Sequence, residues 1–379
     1  MKTEQRRWSK AHGWEAPFTS ELTQSAQIVF LFGSMPEIKN PKFLASLKNT
    51  FPKSVQFGCS TAGEILGTQV SDEKVVATAV YFEKTRIQSS GVRLNDAGNS
   101  FAAGEHLATS LEKKGLVHVL VLSDGLNVNG SELVAGLTKH LPASVTVTGG
   151  LSGDGDRFKE TFVCWNGEFQ SNVITVLGLY GDGLRVGYGS LGGWDSFGPE
   201  RLITKSRGNV LYEMDGKSAL DLYKTYLGEH ASGLPATGLL FPLSLRTKTG
   251  ETGVVRTILA VDESAQSMTF AGDVPEGAYA RLMKANFDHL IDGAVGAAKT
   301  SYEAIGASSP DLALLISCVG RKLVLKQRIE EEVEGVRDVL GKKTVLMGFY
   351  SYGEISPFTP TARCELHNQT MTITTLSER

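Results

Sequence analysis

The sequence repeats one short segment three times, and this repetition is the strongest constraint on the fold. Residues 58–65 read Gly-Cys-Ser-Thr-Ala-Gly-Glu-Ile, and residues 348–355 read Gly-Phe-Tyr-Ser-Tyr-Gly-Glu-Ile. A looser copy at residues 150–156 reads Gly-Leu-Ser-Gly-Asp-Gly-Asp. Each copy follows an apolar run, a helical pattern and a second apolar run. The chain is therefore predicted to contain three related units.

The glycines of the repeated segment have a structural interpretation that needs no ligand. Glycine reaches backbone conformations that other residues avoid, and it allows another segment to approach closely. Such glycines often only permit a turn or the approach of a neighbouring strand. Three copies in one chain favour a requirement of the fold. Any function must then come from the residues that differ between the copies and from their surroundings.

Apolar runs and helical patterns alternate along the chain. Strands are predicted at residues 27–32, 54–57, 74–82, 116–122, 144–148, 173–180, 311–318, 344–347 and 371–376. Helices are predicted at residues 41–49, 100–113, 131–140, 220–227, 275–305 and 327–340, and Gly320-Arg321 is predicted to form a turn. This alternation predicts a fold of mixed α/β layers.

Three segments are expected along the chain. They are an N-terminal arm at residues 1–25, an N-terminal domain at residues 26–215 and a C-terminal domain at residues 216–376. The arm is polar apart from Trp8 and Trp14. We expect it to lie loosely ordered against the rest of the protein.

Charge and hydropathy exclude several classes of partner. A net charge of -3 over 379 residues gives no basic surface of the kind that nucleic acids or anionic membranes attract. No run approaches the roughly 18 apolar residues that cross a bilayer. The basic stretch at residues 2–10 also lacks the apolar run of a secretory signal. We therefore expect a cytoplasmic protein with no membrane insertion and no bound nucleic acid.

Residues 187–192 match Gly-x-Gly-x-x-Gly, the pattern of dinucleotide-binding sites, and they follow a predicted strand. That pattern requires a helix to begin within the motif, so that its N-terminus faces the pyrophosphate. Here the residues at 193–199, Gly-Trp-Asp-Ser-Phe-Gly-Pro, prevent such a helix. We interpret the motif as a glycine-rich strand end.

The four cysteines are Cys59, Cys164, Cys318 and Cys364. They form no Cys-x-x-Cys pair and have no metal-finger spacing, so a structural zinc site is not expected. Small buried hydrophobic residues are their simplest interpretation. Cys59 and Cys318 lie at predicted strand ends, where a nucleophile could reach a crevice. A cysteine-dependent enzyme is therefore the alternative function, although no Cys-His pair is indicated by local spacing.

These segments together resemble the FIST family, a sensory module of bacterial signalling with N- and C-terminal halves. The resemblance extends over about residues 26–376. It rests on five motifs: residues 58–65, Gly-Gly-Leu-Ser-Gly-Asp-Gly at 149–155, Ile-Ser-Cys-Val-Gly-Arg at 316–321, residues 348–355, and His-Asn-Gln-Thr at 367–370.

The resemblance implies a ligand-binding sensor rather than an enzyme. Family members occur fused to histidine kinases, chemoreceptors and cyclic-di-GMP enzymes, or stand alone beside them. No output domain is recognised in this sequence, so the signal would pass to a separate histidine kinase, as in a two-component system, or to a cyclic-di-GMP enzyme. The implied ligand is either an amino-acid-like metabolite or haem b that senses nitric oxide, as in a stand-alone subset of similar size.

A haem iron commonly takes a His or Cys axial ligand. His367 is the first choice because it lies inside a family motif, just before the last strand. Its alternative role is a hydrogen bond that fixes the strand end. His118 and His289 lie in a strand pattern and a helix pattern, and we expect them in the core or at the surface. Cys59 and Cys318 are the thiolate alternatives.

Arg321 could hold a ligand's carboxylate or a haem propionate through paired hydrogen bonds. Its alternative is an internal salt bridge with Glu354 or Glu64, and these two acids could instead receive an amino group. We expect the ligand at the strand ends where the glycine motifs converge. The expected contact residues are Gly58, Cys59, Ser60, Thr61, Gly63, Glu64, Gly150, Ser152, Cys318, Arg321, Tyr350, Tyr352, Gly353 and Glu354.

Overall fold

The structure is a computed structural model that describes residues 1–246, 254–358 and 362–379. It confirms the predicted α/β class and the three related units. Each unit contributes four strands to a sheet in the order first, fourth, second, third. The second and third strands are parallel, and the first and fourth are antiparallel to their neighbours.

The first unit spans the N-terminal 81 residues. Its strands are β1 (Lys2–Ser9), β2 (Gly13–Trp14), β3 (Ile28–Gly33), β4 (Val55–Ser60), β5 (Glu64–Leu66), β6 (Gln69–Ser71) and β7 (Val75–Tyr81). Its helices are α1 (Ser20–Ser25), α2 (Met35–Ile38) and α3 (Pro41–Thr50). Asn40 caps α3 by accepting a hydrogen bond of 3.0 Å from the Lys42 amide, and the helix buries Phe43 and Leu47 against the sheet.

The second unit has the same order of elements. Its strands are β8 (Arg86–Arg93), β9 (Leu116–Ser123), β10 (Thr146–Leu151), β11 (Val163–Trp165), β12 (Glu168–Gln170) and β13 (Val173–Tyr180). Its helices are α4 (Leu94–Ala97), α5 (Ser100–Ser110) and α6 (Gly130–His140).

The third unit begins with β14 (Leu184–Leu191) and is then interrupted by residues 194–285, which we call the inserted domain. Its described elements are β15 (Trp194–Ser196), β16 (Arg201–Arg207), β17 (Val210–Met214), β18 (Lys217–Ser218), α7 (Ala219–Leu227), the 3-10 turns Gly228–Gly233 and Ala236–Leu240, β19 (Leu243–Arg246), β20 (Val254–Arg256), β21 (Ile258–Asp262), β22 (Ser267–Phe270) and β23 (Tyr279–Ala285). The inserted domain has its own apolar core, which includes Leu211, Tyr223 and Phe270.

After the inserted domain the third unit resumes. Its remaining helices and strands are α8 (Phe287–Ala304), β24 (Leu312–Cys318), α9 (Val319–Leu325), a 3-10 turn (Lys326–Arg328), α10 (Ile329–Leu340), β25 (Val345–Ser351), β26 (Gly353–Pro357), β27 (Cys364–His367) and β28 (Met371–Glu378). The predicted helix from residue 275 is therefore wrong in its first part, because β23 occupies residues 279–285 and pairs with β19.

In each unit, the hairpin that follows the glycine motif pairs with a strand of another unit. The hairpin β5–β6 joins β25, β26–β27 joins β10, and β11–β12 joins β4. The arrangement is cyclic: the hairpin of the first unit pairs with the sheet of the third, that of the third with the sheet of the second, and that of the second with the sheet of the first. The three units therefore cannot separate without losing strand pairs from all three sheets. A shared apolar core also joins them, in which Phe32 stacks on Phe349 at 4.7 Å between ring centroids.

The first glycine of each motif allows two parallel strands to approach closely. A Cβ atom at Gly58, Gly149 or Gly348 would lie 1.9 Å from a carbonyl oxygen of the neighbouring strand. The equivalent of Gly58 and Gly348 is thus Gly149, and the repeat alignment that began the middle copy at Gly150 is wrong by one residue. The interpretation that these glycines serve the fold is confirmed.

Three main-chain hydrogen bonds join the motifs in a ring. Ala62 N donates to Tyr350 O at 2.8 Å, and Tyr352 N donates to Leu151 O at 3.2 Å. Gly153 N closes the ring by donating to Ser60 O at 2.9 Å. The motifs therefore converge, as predicted, and their main-chain N–H and C=O groups form hydrogen bonds with one another.

The expected N-terminal arm is instead the first strand of the first sheet. Residues 2–8 of β1 pair with β7 in an unbroken antiparallel register. Trp8 is buried and packs on Phe43. The polar sequence of β1 does not show the pattern of a strand. The strand forms because main-chain hydrogen bonds with β7 hold it in place, and its position near the sheet edge tolerates polar side chains.

The Gly-x-Gly-x-x-Gly motif lies at the end of β14, as interpreted, and its glycines also allow α8 to pack closely on this strand. Cβ atoms at Gly187 and Gly189 would lie 2.1 and 2.2 Å from carbonyl oxygens of α8. Gly293 of α8 approaches Gly192 O in the same way. No helix in the described ranges is both long and apolar enough to cross a membrane.

Candidate functional site

A crevice of about 570 Å³ lies beside the ring of motif hydrogen bonds. Its walls come from the first motif, the loop after the second motif and α9 with the turn that follows it. The lining residues are Ser34, Thr61, Ala62, Gly63, Glu64, Val70, Asp72, Glu73, Gly155, Asp156, Arg157, Val319, Lys322, Leu323, Lys326 and Ile329. The crevice is therefore formed by all three units at the place where their strands end.

One face of α9 supplies a wall of the crevice. Val319, Lys322 and Leu323 line it, and Lys326 follows one turn later. This spacing of three, four and seven residues is the spacing of one helical face. The predicted turn at Gly320-Arg321 is thus wrong, since these residues lie in the first turn of a helix.

Lys322 connects α9 to the first motif. Its Nζ donates to the carbonyl oxygen of Ala62 at 2.8 Å and pairs with the Asp72 carboxylate. The Lys322 side chain keeps 18% of its surface exposed, and Asp72 keeps 65%. The ammonium group therefore stands at the crevice wall with a partner that solvent screens, so its salt bridge is worth little and can be exchanged for another anion.

A second cation stands on the opposite strand-end loop. The Arg157 guanidinium binds Oδ1 of Asp154 through Nε at 2.9 Å and through Nη2. Asp154 is buried, and its Oδ2 has no hydrogen-bond partner among the described residues. Arg157 is 46% exposed at its side chain, so part of the guanidinium remains free to bind a ligand.

Glu64 is the buried acid of the crevice. Burial raises its pKa to about 8, and the hydrogen bond of 2.7 Å from Thr61 Oγ1 only partly offsets that effect. Glu64 is therefore mostly neutral at pH 7. A neutral carboxyl group can both donate and accept a hydrogen bond.

Three of the expected contact residues line the crevice, namely Thr61, Gly63 and Glu64. The others do not. Gly58, Cys59, Ser60, Gly150, Ser152, Cys318, Arg321, Tyr350, Tyr352, Gly353 and Glu354 are buried around the ring of motif hydrogen bonds.

Several of these buried side chains have structural partners. Ser60 Oγ accepts from Phe162 N at 2.9 Å, and Ser152 Oγ donates to Ser123 O at 2.9 Å. Tyr352 stacks on Phe158 at 4.5 Å between ring centroids. Their hydrogen bonds and ring contacts hold the three motifs together.

Glu354 is fully enclosed. Burial raises its pKa to about 8, and its carboxyl group accepts hydrogen bonds from Ser351 Oγ and from both Thr370 N and Thr370 Oγ1. The two Thr370 bonds measure 3.1 and 3.0 Å. Glu354 is 0% exposed and, unlike Glu64, is not among the lining residues of the crevice, so an amino group bound there does not meet its carboxyl group.

Arg321 is a structural residue, which corrects its expected role in holding a ligand. It is 0% exposed, and it binds Glu332 through Nε at 3.0 Å and Nη2 at 2.8 Å. Its remaining donors reach the carbonyl oxygens of Gly192 and Leu290 at 2.8 and 2.5 Å. Arg321 makes an internal salt bridge, which was its alternative role, but the partner is Glu332 rather than Glu64 or Glu354.

His367 makes the hydrogen bond that was its alternative role. Its Nε2 donates to Ser356 O at 2.9 Å across the β26–β27 pair. Burial lowers the pKa of His367 to about 4, so the ring is neutral. As expected, His118 is buried between Thr146 and Thr148, and His289 lies at the surface beside Asp195.

Neither the crevice nor the cavity at His367 offers haem both a suitable volume and an axial ligand. His367 lines a cavity of about 190 Å³, below the roughly 300 Å³ of even a drug-sized site. The crevice is large enough, but none of its described lining residues is His, Cys, Met or Tyr, the usual haem ligands. These two cavities do not fit haem, and haem binding stays a prediction.

The two candidate nucleophiles are both 0% exposed. Burial raises the pKa of the Cys59 thiol, and burial with the nearby Glu354 raises that of Cys318. Both are therefore thiols at neutral pH, and a thiol is a poor nucleophile.

The sequence interpretation missed the charged residues of the crevice. Lys322, Asp72 and Arg157 each lie within a few residues of a recognised motif but outside it, and Asp156 ends the middle motif without having been expected at the site. The signal for Lys322 was the helical spacing of apolar and basic residues from Val319 onwards. A glycine in the first turn concealed that helix.

The fold and this site define an α/β protein of three repeated units with one charged crevice beside their junction. The family model of the FIST N domain matches residues 27–217, and that of the FIST C domain matches residues 219–357. The chain belongs to the FIST family, whose domains are sensors in signal transduction. The two matches meet at residue 218, inside the inserted domain.

A curated relative is an uncharacterized protein from Methanocaldococcus jannaschii. It is 24% identical over an alignment of 359 residues, and the match covers 87% of this chain and 66% of the relative. Among solved structures, cyanuric acid hydrolase from A. caulinodans is similar over 100% of this chain and 99% of its own. Its TM-score of 0.38 and identity of 8% are too low to support an argument about activity.

Proposed function

We propose that this protein is a sensor whose ligand is a small zwitterion of the amino-acid type, bound in the crevice between the first motif and α9. The ligand changes a surface that a separate histidine kinase or cyclic-di-GMP enzyme recognises. The observation that carries this proposal is the pairing of cations and acids along one crevice. The membership in a sensor family supports it.

The charge balance of the crevice favours a zwitterion over an anion. Its cations are Lys322, Lys326 and Arg157, and its acids other than Glu64 are Asp72, Glu73 and Asp156. Glu64 adds a mostly neutral carboxyl group at pH 7 because burial raises its pKa to about 8. A polyanion such as a nucleotide would meet three acids with no surplus of positive charge. A ligand with one carboxylate and one ammonium group would meet partners for both.

The crevice volume of about 570 Å³ lies within the range of small-molecule sites, roughly 300 to 1,000 Å³. Val70, Val319, Leu323 and Ile329 add an apolar wall for a side chain. In the proposed complex the ligand's carboxylate binds Lys322 in place of Asp72, and its ammonium group binds Asp72 and Asp156. Arg157 binds a second acidic group where the ligand has one.

The test is a thermal-shift screen of the twenty amino acids and their simple derivatives. A ligand at about 100 times its Kd stabilises the folded state by about 2.7 kcal/mol, which is a Tm rise of a few degrees. We expect at least one compound to give this rise in the wild type and in Lys343→Met, an exposed substitution outside the crevice. Lys322→Met should lose it. A screen without any hit, or equal shifts in Lys322→Met, would remove the proposal.

Haem with nitric oxide is the alternative ligand, and a visible spectrum separates the two. A Soret band that moves with nitric oxide and is lost in His367→Ala would favour haem. The small cavity at His367 and the absence of a usual haem ligand among the described lining residues of the crevice favour the zwitterion.

A further inference from the structure

The short helix α9 lies between the crevice and the inserted domain. One face carries Val319, Lys322 and Leu323 and lines the crevice. The opposite face buries Gly320, Arg321, Val324 and Leu325. A helix of seven residues with one face buried in this way moves as one body, because a close-packed interior does not deform continuously.

The buried face of α9 packs on the inserted domain through an apolar cluster. Val324 and Leu325 share this cluster with Trp194 and Met283, and Leu240 packs against it. Leu240 ends the 3-10 turn Ala236–Leu240, which lies against α9. A shift of α9 therefore meets side chains of the inserted domain directly.

Arg321 ties α9 to both chain crossings into the inserted domain. Its Nη1 donates to Gly192 O, just before β15, and its Nη2 donates to Leu290 O, in the first turn of α8. These residues lie immediately before and after the inserted domain. The same guanidinium is held by Glu332 of α10.

The family motif at residues 367–370 connects the same parts. Gly320 allows α9 to lie against Gln369, since a Cβ at Gly320 would be 2.4 Å from the Gln369 amide. Gln369 Nε2 donates to Leu239 O at 2.9 Å and to Thr257 Oγ1 at 3.1 Å, both in the inserted domain. Asn368 accepts from Thr257 N at 3.2 Å. The inserted domain is thus docked on the third unit through α9 and this motif.

We propose that α9 couples the crevice to the inserted domain, so that occupancy of the crevice shifts the inserted domain and makes it the output surface. The proposal rests on the proposed function for the identity of the signal. A ligand that replaces the Lys322 contacts with Ala62 and Asp72 changes the balance between two positions of α9. The inserted domain follows because its contacts with α9 are buried.

Coupling between two sites is reciprocal, so it can be measured from either end without a ligand. A change at the inserted domain must alter the exposure of Lys322. A change at Lys322 must alter the stability of the inserted domain where it contacts α9.

The first experiment compares two leucine substitutions in the full-length protein. Leu240→Ala removes a contact with the α9 cluster, whereas Leu222→Ala removes a contact inside the inserted domain's own core. The readout is the rate of Lys322 acetylation, followed by mass spectrometry. We expect Leu240→Ala to raise this rate by about 5-fold or more and Leu222→Ala to leave it near the wild-type value. Equal rates in the two variants would overturn the proposal.

The second experiment works in the other direction by amide hydrogen exchange. Lys322→Met should speed exchange in residues 236–240 and leave α7 unchanged. Arg157→Gln, on the opposite wall of the crevice, is the control and should change neither. Exchange in residues 236–240 that is the same in both variants would contradict the coupling.

The two proposals fail separately. If the leucine comparison is negative while an amino acid binds, the coupling is wrong and the proposed function stands. If the leucine comparison is positive while the screen finds no ligand, the coupling stands and the zwitterion is wrong.

Discussion

Lys322 of the third unit donates a hydrogen bond of 2.8 Å to the main-chain carbonyl of Ala62 in the first unit. Ala62 in turn donates its amide to Tyr350 O in the third motif. A crevice side chain is therefore attached to the ring of hydrogen bonds that joins the three units. This link explains how a site at the protein surface can influence the junction of the whole fold.

The buried salt bridge between Arg321 and Glu332 should dominate the stability of the third unit. Glu332→Gln leaves a buried guanidinium without its counter-charge, so we expect the free energy of unfolding to fall by about 3 to 5 kcal/mol. The neighbouring Glu331 pairs with Arg328 at the surface, with side chains 44% and 42% exposed. Glu331→Gln should cost less than about 1 kcal/mol. Urea denaturation of both variants measures the difference, and similar losses would contradict this assignment.

The first glycine of each motif should tolerate no side chain. In Gly58→Ala the new Cβ would lie 1.9 Å from Leu31 O, so two paired backbones must separate. We expect a loss above about 3 kcal/mol, since overpacking costs about 1 to 3 kcal/mol even where side chains can adjust. Gly67→Ala is the control, because its Cβ meets open space and only its positive φ of 62° is strained, at about 1 to 2 kcal/mol. Equal losses in urea denaturation would refute the close approach.

The two buried glutamates of the motifs should make stability depend on pH. Burial raises the pKa of Glu64 and of Glu354 from 4.5 to about 8. The folded state thus binds these protons more tightly than the unfolded chain. Their contribution to stability is fully present below about pH 4.5 and is lost as the pH rises through 8.

Glutamine substitutions isolate this effect. Glu64→Gln and Glu354→Gln are neutral at every pH, so each should lose less stability than the wild type between pH 5 and pH 8. The expected difference is about 1.4 kcal/mol per pH unit for each group. Denaturation at several pH values measures it, with the exposed Glu334→Gln as control. Curves parallel to the wild type would show that the carboxyl groups are ionised in the folded protein.

The cysteines should react slowly with alkylating reagents at pH 7. Burial raises the thiol pKa of all four cysteines, but only Cys364 is partly exposed, so it should react first. All four should react rapidly after unfolding. Labelling of Cys59 or Cys318 far ahead of Cys364 in the folded protein would instead favour the cysteine-dependent enzyme.

Much of the repeated architecture could be predicted from the sequence, because each unit carries its own apolar strands and amphipathic helix. The elements that sequence reasoning missed depend on partners far away in the chain. The polar strand β1 exists through its pairing with β7, and β23 exists through its pairing with β19. Local composition at residues 2–9 and 279–285 does not encode these pairs.

The sequence predicted where the candidate site lies, but it did not predict most of the residues that line it. The convergence of the motifs followed from the repeat, and Thr61, Gly63 and Glu64 do line the crevice. Most of the motif side chains already make the contacts that hold the units together. The charged side chains of the crevice stand beside the motifs, on α9 and on the loop that carries Arg157, and only folding brings them together.

The most direct test of the zwitterion site is a calorimetric titration of the best amino acid from the screen against two of its derivatives. The carboxamide removes the negative charge that Lys322 would bind, and the N-acetyl form removes the positive charge that Asp72 and Asp156 would bind. We expect the parent compound to bind and each derivative to lose about tenfold or more in affinity, which is 1.4 kcal/mol. Equal affinities for the parent and both derivatives, or no heat from the parent, would contradict the account.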